Sequence, residues 1–231
     1  HAGRKAVGHN ILGPSSIQLE GKEHVPKEMT LEDISHTIKN FQNAAMRADK
    51  AGFDMVEIHA AHGYLVSQFM SPLSNERNDT YGLKHQFLND VIQAVKEVWP
   101  VEKAISVRIS GTEYHHEGFD IDDVIEILKA CDLDRVDIIH VSSGGNIRPN
   151  VTSFEEGYQL PLARKIKQQL NMKTIGGGLL KDHIIGEHAL IHEDCDMVFY
   201  GRLLLRDPFY FLRHIDSLEF PTPYKRGKLT P

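Results

Sequence analysis

From about residue 30 onward, stretches whose apolar residues recur every three or four positions alternate with short apolar runs. Thr30-Leu31-Glu32-Asp33 has the form of a helix-opening capping box, and Ile34, Ile38, Phe41, Ala45 and Ala48 then share one helical face until Gly52 stops it. A strand is expected at 55–59. A polar loop with Ser71-Pro72-Leu73-Ser74-Asn75 follows, then a helix carrying Phe87, Leu88, Val91, Ile92, Val95 and Trp99 on its apolar face. Further strands are expected at 104–109, 136–141, 172–175 and 196–200, with helices near 121–131, 158–170, 182–191 and 207–217.

Five strands, each followed by a helix, imply a parallel sheet covered by helices. A doubly wound dinucleotide fold and a TIM barrel both have that order. Two features favour the α/β class's TIM (β/α)8 barrel. No Gly-x-Gly-x-x-Gly turn follows a strand, and the conspicuous polar residues cluster just after strand ends, where barrel enzymes build their sites. A closed barrel uses eight strands in ~250 residues. The expectation is therefore one partial TIM-barrel domain over 1–231, the C-terminal portion of a longer barrel, with strands four to eight present and the first three absent.

Composition narrows the partners. With 26 Lys and Arg against 32 Asp and Glu, the net charge of −6 offers no general attraction to nucleic acid or to anionic membranes, and neither partner is expected. No apolar run reaches the roughly 20 residues of a membrane span. Two cysteines, Cys131 and Cys195, are too few for a disulfide framework and favour a reducing, cytoplasmic setting.

The stretch His59-Ala60-Ala61-His62-Gly63-Tyr64 ends the first of these strands. Alternation puts Glu57 and His59 on one side and Val56 and Ile58 on the other. A zinc helix spaces histidines i, i+4 around a glutamate, and here the spacing is i, i+3 with alanines between, so no metal is expected. Two neutral imidazoles can polarise a carbonyl oxygen, and a nearby phenol can donate a proton. The competing reading makes His59 a satisfied interior histidine and Tyr64 a packed loop residue. Arg108 shares an alternating face with Ser106 and Ser110, and a guanidinium inside a strand must meet an anion: either Glu57 or an anionic cofactor. Gly176-Gly177-Gly178 and Gly201-Arg202 follow the last two strands. If these are strands seven and eight, they lie where barrels hold phosphate.

Taken together, Val56 to Leu65, Gln68-Phe69, Ser71 to Asn75, Arg77, Asp79, Tyr81 and Gly82 closely resemble the old yellow enzyme family of FMN-dependent ene-reductases. Val107-Arg108-Ile109-Ser110, Val141-Ser142-Ser143-Gly144 and Gly201 to Pro208 match later family segments, and His1-Ala2-Gly3-Arg4 looks like the loop after its third strand. The paired histidines look like the bacterial NADPH dehydrogenase subgroup. The resemblance implies that His59 and His62 hydrogen-bond the carbonyl oxygen of an enone or enal, with Tyr64 as proton donor. It also implies that Arg108 sits against the pyrimidine edge of FMN, that Gly177, Gly178, Gly201 and Arg202 hold the FMN phosphate, and that NAD(P)H is the hydride donor. Two other readings compete: a flavin-free, phosphate-binding barrel isomerase or aldolase, and an inactive barrel fragment serving as a binding or assembly scaffold. Open sheet edges make self-association into a homo-oligomer an expectation of the partial barrel.

Overall fold

A computed structural model of the chain describes residues 11–19, 21, 24–148, 151, 153–215 and 219–227. The His1-Ala2-Gly3-Arg4 segment singled out above lies outside them. Two residue pairs, β1 (Leu12–Gly13) and β2 (Lys27–Glu28), form a small parallel ladder. The main body then runs α1 (Leu31–Lys50), β3 (Met55–Ala60), α2 (Leu65–Met70), α3 (Gln86–Lys96), β4 (Ala104–Ser110), α4 (Ile121–Lys129) and β5 (Ile138–Ser142). It continues through α5 (Leu160–Leu170), β6 (Lys173–Gly176), α6 (His183–Ile191), β7 (Met197–Val198), α7 (Arg202–Arg206) and α8 (Tyr210–His214).

Strands β3-β4-β5-β6-β7 form one sheet in chain order, and every pairing is parallel. Alternation sorts its faces. Ile58, Ile105, Val107, Ile109, Ile139 and Val141 are buried in the main core with Phe87, Leu88, Val91 and Ile92 of α3. The intervening positions of the same strands carry Glu57, His59, Ser106, Arg108 and His140.

The helix starts are fixed by side chains. Thr30 and Asp33 satisfy each other's backbone N–H groups at α1, and Asp120 and Asp123 do so at α4. Strand starts use the same chemistry across the sheet. Asp137, just before β5, accepts the Ile105 N–H of β4 at 2.8 Å, and Asp196, just before β7, accepts the Thr174 N–H of β6 at 2.8 Å. Each aspartate thus registers its own strand against the preceding one.

Several boundaries differ from the pattern-based expectation. The strand expected at 136–141 starts at Ile138, because Val136 N–H closes a turn on the Leu133 carbonyl. The one expected at 196–200 pairs only over Met197–Val198. The helix expected near 207–217 is confined to α8, its start delayed where Asp207 Oδ1 accepts the Phe209 N–H, while α7 precedes the expected span altogether; 216 and 217 lie outside the described residues. Helix α2 lies between the expected strand at 55–59 and the Ser71–Asn75 loop, where the pattern predicts no element. Among the described residues, no helix is long and apolar enough to cross a membrane.

Candidate functional site

The end of β3 is shaped by close backbone contact with the loop after β5. His62 and Gly63 both take positive φ, at 61° and 67°. A Cβ on Gly63 would stand 2.5 Å from the Gly145 carbonyl oxygen, and one on Gly145 would stand 2.0 Å from His62 C, so neither position tolerates a side chain. Ser110 at the end of β4 joins the two loops: its Oγ accepts the His62 N–H at 2.9 Å and donates to the Gly144 carbonyl at 2.8 Å. The three strand ends therefore position His62 as a unit.

Around that turn the structure brings His59, His62 and Tyr64 together. The His59 ring lies 5.2 Å from the His62 ring, edge to face, and 4.9 Å from the Tyr64 ring. Tyr64 opens α2 and is exposed. Burial, reinforced by the nearby Arg108 cation, lowers the pKa of both histidines, that of His62 to about 4. Both rings are neutral at neutral pH, so each has one N–H to donate.

Behind them the register aligns three basic side chains across the sheet: His59 on β3 opposite Arg108 on β4, and Arg108 opposite His140 on β5. Glu57 is not the partner of Arg108. Its carboxylate accepts Ser106 Oγ–H at 3.0 Å and lies 2.9 Å from His140 Nδ1, so the alternative of an Arg108–Glu57 ion pair gives way to a Glu57–His140 pair. Burial pushes the Glu57 carboxyl up, but the His140 contacts, the Ser106 hydrogen bond and the Arg108 charge together hold it below the usual range. The Arg108 guanidinium lies 5.6 Å from the Phe199 ring centroid. Three buried nitrogens in this row have no hydrogen-bond partner: His59 Nδ1, Arg108 Nε and His140 Nε2. Leaving such groups dry and unpaired is costly; Arg108 Nε–H calls for an acceptor on this face, whereas His140, whose Nδ1–H faces the Glu57 carboxylate, presents a bare Nε2.

Phe199 also borders a cavity of about 600 Å³, walled among others by Ser142, Tyr158, Gly178, Gly201 and Arg202. Lys181, Arg202 and Arg206 make its rim basic. Gly178 and Gly201 border this cavity. Gly177 is bare for a different reason: a Cβ there would meet the Phe199 ring at 2.8 Å, so its glycine lets Phe199 reach Arg108 and His140. Gly201 has open space around its Cα, and nothing steric there requires glycine. The combination suits FMN: the unpaired Arg108 Nε–H beside the histidines for an electron-rich ring, and a basic, partly glycine-walled cavity for a phosphate. No three histidine, cysteine, aspartate or glutamate side chains gather as a metal site among the described residues.

Other residues of this region were not singled out from sequence. His140 and Phe199 fall inside expected strands and Gln159 inside an expected helix, while Ser142 enters only as part of the Val141-Ser142-Ser143-Gly144 family match; the 138, 140, 142 alternation on β5 places His140 and Ser142 on the face of Arg108. Glu113, in the loop after β4, is 1% exposed and accepts Ser71 Oγ–H at 2.7 Å, an Asn146 amide N–H at 2.5 Å and the Phe119 N–H at 3.1 Å. It ties together the end of α2 and the loops after β4 and β5, and burial raises its pKa despite those donors.

A parallel sheet with paired neutral imidazoles, an unpaired arginine and a basic cavity at its strand ends defines a flavin-oxidoreductase type of barrel. Comparison bears this out: residues 7–219 match the NADH:flavin oxidoreductase / NADH oxidase family, and the chain belongs to it. It is 43% identical to an NADPH dehydrogenase of Geobacillus sp. (strain WCH70) over 215 residues, which are 91% of this chain and 62% of that protein. It is 41% identical to an NADPH dehydrogenase of Bacillus subtilis (strain 168), over 98% of this chain and 69% of that one. The chain thus spans between three-fifths and seven-tenths of these relatives' length. Among solved structures, a 2-naphthoyl-CoA reductase superposes with a TM-score of 0.82 at 24% identity, over 93% of this chain and 34% of that one. Morphinone reductase gives 0.74 at 23%, over 93% and 62%. An old yellow enzyme homologue from Zymomonas mobilis gives 0.73 at 22%, over 100% and 69%. These neighbours support the TIM-barrel fold.

Proposed function

We propose that this chain carries the catalytic face of an FMN-dependent NAD(P)H oxidoreductase that reduces the C=C bond of α,β-unsaturated carbonyl compounds. In this reading the five strands of its main sheet are strands four to eight of the barrel, and the protein works in the cytoplasm, where its two buried, disulfide-free cysteines stay reduced. The observation that carries the reading is the pair of neutral histidines, 5.2 Å apart, beside an arginine whose Nε has no partner.

Arg108 would hold the pyrimidine edge of FMN, and the segments around Gly177, Gly178, Gly201 and Arg202 its phosphate. When bound, FMN would supply hydride-transfer chemistry between NAD(P)H and the substrate's C=C bond. His59 and His62 each present one N–H to the substrate's carbonyl oxygen and stabilise the negative charge that develops there. Because both are neutral, they donate without competing with Arg108 for the cofactor's negative charge. Tyr64, within 4.9 Å of the His59 ring, delivers the proton to the α-carbon.

The test is a fluorescence titration of FMN into the wild type and Arg202→Ala. A charge-assisted phosphate contact of about 1.5–3 kcal/mol predicts FMN binding weakened roughly 10- to 150-fold in the variant. Equal affinities would remove Arg202 from the site, and no binding by the wild type would remove FMN from the reading.

A further inference from the structure

His62 Nε2 lies 2.6 Å from Ser142 Oγ, and which of the two supplies the proton decides which nitrogen of His62 is left as a donor. The surroundings of Gln159 point to the direction. Its Nε2 lies 3.2 Å from Ser142 Oγ, 2.8 Å from Ser143 Oγ and 3.1 Å from the Tyr158 hydroxyl. An amide nitrogen has two hydrogens and no available lone pair, so Ser142 can accept from Gln159 but never donate to it. Among the described residues the acceptor left within reach of the Ser142 proton is His62 Nε2.

We propose that Ser142, oriented by Gln159, sets the tautomer of His62 by donating to Nε2 and so holding the ring proton on Nδ1. Ser142 and Gln159 are both buried at the wall of the cavity, where the low local dielectric strengthens these bonds. Gln159 is itself fixed, its backbone N–H donating to the Gly177 carbonyl at 3.3 Å at the head of α5. His62 Nδ1 makes no hydrogen bond to any described residue, so the tautomer leaves one N–H free to be offered to a ligand. Ser142 and Gln159 are thus positioning residues, acting through His62. The tautomer stands on geometry alone; only the carbonyl as recipient of the Nδ1 proton rests on the proposed function.

Long-range proton–nitrogen correlation spectra of the nitrogen-15-labelled chain at neutral pH test this directly, with His62→Gln identifying the His62 signals among the 14 histidines. The wild type is expected to show a protonated Nδ1 and a bare Nε2. Ser142→Ala should cut that preference about tenfold, the bias one buried hydrogen bond provides, and Ser142→Thr should keep it. A protonated Nε2 in the wild type, an unchanged tautomer in Ser142→Ala, or equal loss in Ser142→Thr and Ser142→Ala would overturn the proposal. The readout needs neither flavin nor substrate. If the tautomer is as stated but His62→Ala leaves reaction with an enone untouched, the proposed function fails and the Ser142 assignment stands.

Discussion

At His62 burial and the Arg108 cation both lower the pKa, and the consequence is measurable in stability as well as in chemistry. Between the ordinary value of 6.5 and about 4, the unfolded chain binds a proton that the folded chain refuses. Stability contributed by the neutral ring is therefore complete above 6.5 and falls as pH falls toward 4. Chemical denaturation across that range should show a shallower pH dependence for His62→Gln than for the wild type. Identical slopes would mean that His62 titrates normally in the folded state. His59, His62 and Arg108 were legible in sequence because polar residues at strand ends of a βα pattern stand out. Ser142 and Gln159 were not, since a serine ending a strand and a glutamine opening a helix look the same whether they face solvent or a histidine. The partner of Glu57 was misread for a similar reason: alternation gives the face but not which neighbour across the sheet reaches first.

At the scale of elements, α2 couples the histidine turn to the core. Its Phe69 is 1% exposed and stacks on Phe87 of α3, with ring centroids 4.2 Å apart at 26°. Phe69→Ala should cost about 3–5 kcal/mol, because it leaves a cavity the size of a ring where the two helices meet. A thermal melt checks this, and a loss under about 1 kcal/mol would show that the helices repack. The large strands and helices were readable because apolar periodicity is strong over five or more residues. Helix α2 was not, because Val66, Ser67, Phe69 and Met70 are buried nearly all round and six residues give too few turns for a stripe. Strand β7 is short because the ladder ends with one last bond, from Phe199 N–H to the Gly176 carbonyl at 3.0 Å, where the Phe199 side chain turns to Arg108 and His140.

Across the whole molecule, β3 pairs only with β4 and β7 only with β6 among the described residues, which leaves two edges of a parallel sheet unpaired. Met55 and Met197, one on each edge strand, are 39% and 54% exposed. Sedimentation of the chain should show association that grows with concentration, since unpaired strands and exposed apolar groups recruit further chains. A single monomeric species at every concentration would contradict that expectation.

The central claim is that His59 and His62 act on the substrate's carbonyl oxygen, and rapid-mixing kinetics of the flavin-loaded protein address it most directly. Reduction by NAD(P)H and reoxidation by an enone are followed separately in the wild type, His59→Ala and His62→Ala. Only reoxidation develops charge on that oxygen, so each substitution should slow it about 100- to 1000-fold while leaving reduction far less affected. Wild-type reoxidation in both folded, flavin-loaded variants would contradict the account and make the histidine pair a structural feature of the strand end.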